Sequence, residues 1–164
     1  MNYATLQDLI GRFGERELIE LTDPDLLAIQ TERVQRALDD AQVFADGFLG
    51  RVYRLPLTGC AFPAPLPGDP GAVQWVVPPQ LRRIVCDVAR YYLYHDVAPE
   101  HEVYLRYKAA ERELQAVAEG KMVLACPAGG LPGVPLTGLP SGEADVAWAF
   151  SPRQMTDDSL RGFA

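Results

Sequence analysis

An all-α fold, an antiparallel bundle of four to five helices, is what this 164-residue sequence predicts. Three observations point to it. Apolar residues recur at helical spacing in four segments. Two stretches dense in proline and glycine divide those segments. Strand-like runs are nearly confined to "AVQWVV" and "KMVLAC".

The first helix begins at Thr5, an N-cap with Asp8 three residues on, and carries Leu6, Leu9, Ile10 and Phe13 on one face. Gly14 breaks it, and "ERELIEL" adds a short second piece ending near Thr22. "TDPDLL" launches the next helix: Thr22 or Asp23 caps it, Pro24 fits the first turn and Asp25 complements the macrodipole. It is expected to run to about Gly50, with Ile29, Val34, Leu38, Ala41, Ala45, Phe48 and Leu49 at helical spacing. Gly47 inside it either weakens the last turn or lets a neighbouring helix approach closely.

Residues 59–79 hold so many prolines and glycines that no regular helix or central strand is expected there. "AVQWVV" within it is a short extended segment, and Trp75 needs a surface to cover it, which makes it a loop contact residue. Pro79 starts the helix "QLRRIVCDVARYYLYHD", with Leu81, Ile84, Val85, Val88 and Tyr92 on one face and Arg83 and Asp87 spaced for an ion pair. Pro99 opens the last helix and Gly120 closes it. Val103, Tyr107, Ala110, Leu114 and Val117 form its packing seam. The predicted bundle core is Leu38, Phe48, Ile84, Val88, Tyr107 and Leu114, each large side chain contributing roughly 1.5–3 kcal/mol when buried.

After Lys121 the chain changes character, with nine prolines and glycines in residues 126–142. The sequence therefore divides into a helical domain, 1–124, containing the 59–79 loop, and an extended C-terminal arm with a docking tail, 125–164. The tail, "DVAWAFSPRQMTDDSLRGFA", is amphipathic and aromatic. It either grasps a partner or folds back on its own bundle through Trp148 and Phe150.

Composition narrows the function classes. A formal net charge of −7 disfavours a chain that grips nucleic acid, because such affinity comes from Lys and Arg. No stretch is long and apolar enough for a membrane span, and no signal peptide is read at the amino terminus. Cys60, Cys86 and Cys126 are odd in number and widely spaced, which argues for a reducing, cytosolic setting and a core that needs no disulfide.

"LPLTG" at Leu55–Gly59 matches a sortase sorting signal, but its mid-chain position and the following Pro-rich loop read as turn chemistry. His95, Asp96, Glu100, His101 and Glu102 match no standard zinc spacing and read as turn and cap residues. No nucleophile–base pair and no phosphate-cradling loop is recognisable. The expectation is no catalytic residue, no metal and no cofactor.

"YATLQDLIGRFGERELIELTD", "DGFLGRVYRLPL", "CDVARYYLYHD" with "RYKAAERELQAVAEGKM", and the terminal "SLRGF" together resemble the Mu-like phage protein family, over residues 3–124 and loosely over the last dozen. The family is similar to head–tail adaptor, or head completion, proteins of tailed phages. The resemblance implies a virion neck protein, assembled in the bacterial cytoplasm as a ring of probable twelvefold symmetry. The ring would bind the portal protein on one side and a tail-side neck or terminator protein on the other. DNA would pass through it without sequence-specific binding, and no membrane is involved. The tail would dock on the portal or a neighbouring subunit through Trp148, Phe150, Arg153, Met155, Leu160, Arg161 and Phe163. The rival is a tail terminator, or tail completion protein, which should carry a substantial β-sheet, or another helical protein-binding module.

Overall fold

The structure, a computed structural model, describes residues 2–23, 25, 27–63, 73–94 and 97–136. Five helices are present: α1 (Leu6–Phe13), α2 (Glu15–Thr22), α3 (Thr31–Leu49), α4 (Pro79–Leu93) and α5 (Glu102–Ala118). The fold is mostly helical, but not purely so. Cys60–Pro63 (β1) and Val73–Val76 (β2) pair as an antiparallel ribbon, with Ala61 opposite Trp75. The extended character of "AVQWVV" is found as β2, and β1 is an edge strand beside it that the sequence reading did not foresee. Pro63 is tolerated because both strands of a two-stranded ribbon are edges, where a missing N–H need not break a ladder. "KMVLAC" forms no strand.

α1 starts with the expected capping box: Thr5 Oγ accepts from the Asp8 N–H, and Asp8 accepts from the Thr5 N–H at 2.9 Å. α3 starts later than the sequence suggests, at Thr31. The Asp23 carboxylate accepts N–H groups from Asp25, Leu27 and Ala28 at 3.0–3.1 Å, and Thr22 Oγ accepts from Gln30 N–H at 3.1 Å. These bonds satisfy a turn in place of a first helical turn, and they hold the Asp23 carboxyl below its usual range, the Ala28 N–H first among them.

α4 is the central helix, buried on nearly all sides through Leu81, Ile84, Val85, Cys86, Val88, Ala89 and Leu93. α5 packs antiparallel on it. At one end Arg83 meets Glu113 at 2.6 Å, and at the other Tyr91 stacks on Tyr107 at 4.2 Å. Of the predicted core, Leu38, Ile84, Val88 and Leu114 are buried, while Phe48 and Tyr107 are partly buried against the core. Tyr92, read from its spacing as core-facing, is instead exposed. α1 and α2 are fastened to α4 by Arg90, which meets Glu17 at 2.6 Å and lies 4.5 Å over the Phe13 ring.

The cysteines overturn the sequence-based reading. Cys60 and Cys126 form a disulfide across 66 residues, and Cys86 is a buried free thiol. Such a separation carries no spacing signal, since only the tertiary path brings the end of α5 beside the ribbon.

Asp87 is buried on α4, with Arg83 at 3.5 Å from Oδ2 and no hydrogen-bond partner for Oδ1 among the described residues. Burial is the largest influence and pushes its carboxyl up. The unfolded chain therefore releases this proton at lower pH than the folded chain, and the contribution of Asp87 to stability falls as pH rises from the ordinary carboxylate range to the raised one. Asp87→Asn is expected to raise the denaturation midpoint at pH 7, the gain disappearing below about pH 4, where both states hold the proton. Equal midpoints for both proteins at pH 7 would contradict this.

Candidate protein–protein interface

The descent from α3 to the ribbon creates the first candidate surface. Tyr53 is buried and Leu55 half-buried below α3, and Leu57 is buried ahead of the ribbon. The segment Cys126–Leu136 returns over this stretch as a strap. Arg54 N–H donates to Val134 O, Leu136 N–H to Val52 O and Gly59 N–H to Pro132 O, each at 2.8 Å. The Thr58 hydroxyl donates to the same Pro132 carbonyl at 3.2 Å. Gly133 suits a close approach: a Cβ there would lie 2.8 Å from Leu57 Cδ2, so the buried Leu57 methyl would have to shift. The "LPLTG" stretch is thus the bed of the strap, and the disulfide fixes the strap's start.

Alternation along the ribbon decides what faces outward. Cys60 is buried opposite Val76, so their face turns to the body. Trp75 and Val73 lie on the other face. Trp75 is 54% exposed and Val73 53%, with Phe62, Leu131, Val134 and Leu136 exposed on the ribbon and strap as well. Among the described residues this is a sizeable group of exposed apolar side chains, the usual signature of a protein contact.

A second surface lies where α3, α4 and α5 meet. Phe44 packs edge-on to Phe48 at 5.2 Å and reaches Tyr107 at 5.9 Å and Tyr92 at 6.5 Å. Tyr91, Tyr104 and Tyr107 are only half-buried, and Val43 beside Phe44 is 71% exposed. Tyr92 is pushed up to about 12, by burial first and then by Tyr107, Asp40, Tyr91 and Glu111. Its phenol stays neutral, a hydrogen-bonding handle on an apolar body.

Cys86 is buried in the core, and burial pushes its thiol up to about 12. His101 caps α5, its Nδ1 accepting from Val103 N–H at 3.2 Å. The described residues contain no group of three or more potential metal ligands, and His95 and Asp96 lie outside them. No helix among them is long and apolar enough to cross a membrane. Trp148, Phe150, Arg153, Met155, Leu160, Arg161 and Phe163 also lie outside the described residues. The aromatic seam escaped sequence reading because its tyrosines share a helical stripe with core residues. The signal that could have found it is the run of Tyr91, Tyr92, Tyr104 and Tyr107, since phenols favour half-wet positions.

The described residues form a mostly helical body with two partly exposed aromatic patches. The family model described as Bacteriophage Mu, Gp36 matches residues 3–133, and this chain belongs to that family. It is 34% identical over 123 residues to gene product J of Escherichia phage Mu, covering 74% of each chain. It is 30% identical over 123 residues to the Mu-like prophage FluMu protein gp36 of Haemophilus influenzae, again covering 74% of each.

Proposed function

We propose that the chain is a structural head–tail connector subunit of a tailed-phage virion. Copies form a ring that joins the portal to the tail-side neck and lets DNA pass. The observation that carries this reading is a phage-family helical body with outward-facing Trp75 and Val73 on a braced ribbon, in a surface built for holding partners. The role is mechanical and not enzymatic, and an acidic chain lets DNA slide where a basic one would hold it. A tail terminator is the less favoured alternative, because the described residues carry only a two-stranded ribbon in place of a substantial sheet.

The strap supports a role for the tail. It holds Leu136 beside Val52, just past the end of α3. In this reading the tail docks on the portal or a neighbouring subunit, with Trp148, Phe150, Met155, Leu160 and Phe163 as anchors and Arg153 and Arg161 meeting carboxylates or carbonyls. Deleting residues 151–164 is expected to abolish head–tail joining, leaving full heads and free tails in the lysate, without loss of helical circular dichroism. Electron microscopy of the full chain mixed with portal tests the whole proposal. A ring on the portal is expected, and unattached monomers at saturating concentration would overturn it.

A further inference from the structure

A ring built by repeating one contact head to tail needs two different, complementary patches on every subunit. The two surfaces described above meet that requirement in position. The ribbon joins α4 at its start, through Val77 and Pro78, and is tied by the disulfide to Cys126, just beyond α5. The aromatic seam lies at the other end of the same pair, where Tyr91 of α4 meets Tyr104 and Tyr107 of α5. α4 has 15 residues, so the patches are separated by about 22 Å of helix.

They are complementary in charge. Residues 50–63, 73–80 and 119–136, which build the ribbon and strap end, carry Arg51, Arg54 and Lys121 against Glu119 alone, in a chain of net charge −7. Glu119 is paired with Lys121 at 2.6 Å and also lies in the field of Arg51, so this end keeps a net positive charge, with Arg51 and Arg54 both exposed. At the seam Glu111 pairs with Lys108, which lies over the Tyr107 ring, and the exposed Asp40 is the carboxylate left over beside Tyr92.

Gly47 adds an independent sign that something covers the seam. It is exposed, three and four residues after Phe44 and Val43, hence on their side of α3. A Cβ placed there would meet nothing within 4 Å, so no neighbour among the described residues requires a glycine. Glycine inside a helix costs roughly 0.5–1 kcal/mol relative to alanine. That cost is unexplained by the described residues of one copy and is accounted for if a second chain approaches α3 closely.

We propose that the two patches are the halves of one head-to-tail contact between copies: the ribbon face of one, led by Trp75 and Val73, seats on the seam of the next, over Val43, Gly47 and Tyr92. Arg51 and Arg54 then approach Asp40 of the neighbour. This contact rests on the connector reading and specifies which surfaces close its ring.

The test is a Val43→Cys/Val73→Cys double variant of the full chain, treated with a bismaleimide cross-linker in assembled particles. Both positions are exposed, and Trp75 and Gly47 are kept. A contact of this kind joins position 43 of one copy to position 73 of the next, so denaturing gels should show a ladder of dimers, trimers and higher multimers. Either single-cysteine variant should give none. Adding Gly47→Arg should erase the ladder while leaving the melting temperature unchanged or higher. Particles that contain the double variant yet yield no ladder, or dimers only, would overturn the contact and leave the connector reading standing. Particles that lack the unsubstituted chain would overturn both.

Discussion

Replacing Cys60 and Cys126 by serine together is expected to lower the unfolding free energy by roughly 4 kcal/mol, the largest effect of any change considered for this chain. The bond closes a loop across 66 residues, and cross-linking a loop of that length removes roughly 4 kcal/mol of chain entropy from the unfolded state. Its effect should also be local. The bond ties the start of the strap to the ribbon, and the strap holds residues 132–136 through a few backbone hydrogen bonds. In the double variant, proteolysis within 127–136 should accelerate more than cleavage of α4 or α5. Denaturant titration of the oxidised wild type against the variant, with intact-mass measurement of the wild type before and after reduction, checks the prediction. A wild-type mass equal to that of the dithiol, or coincident titration midpoints, would dismiss it.

Leu114→Ala should cost about 3 kcal/mol, within the range of roughly 2–5 kcal/mol for emptying a packed leucine site. Leu114 is fully buried between α5 and α4, one residue from Glu113, whose carboxylate accepts from Gln80 at 3.0 Å and Arg83 at 2.6 Å. Those polar clasps keep the two helices from closing over a void. Tyr107→Ala, two turns earlier on the same stripe, offers the contrast. Tyr107 is half-buried and stacked on Tyr91, so its loss should cost the isolated chain less than Leu114→Ala and impair assembly more. Thermal denaturation paired with a particle-incorporation assay separates the two. The idea fails if both variants lose stability and assembly in the same proportion.

That contrast marks how far the sequence could be read. The stripe Val103, Tyr107, Ala110, Leu114 and Val117 was legible as a helix face because period 3.6 is a local property of the chain. Four of its members are buried, yet the same periodicity could not tell that Tyr107, between buried Val103 and Ala110, is only half-covered. Tyr92 was misplaced for the same reason: spacing gives the face, and neighbouring helices decide where that face stops. The Thr5–Asp8 capping box and the proline start of α4 were readable because their partners lie within a few residues. The delayed start of α3 was not, since Asp23 and Thr22 could serve a helix or a turn equally well until Gln30 and Ala28 were in place.

By itself the sequence determined a bundle of four to five helices, most of their limits, most of the core and the likeness to a phage family, all carried by short-range patterns. Only the tertiary structure decided that Cys60 pairs with Cys126, that "LPLTG" is the bed of a returning strap and that Trp75 faces outward. Each depends on groups far apart in the chain meeting in space. No local periodicity encodes such meetings, because they follow from how the helices pack.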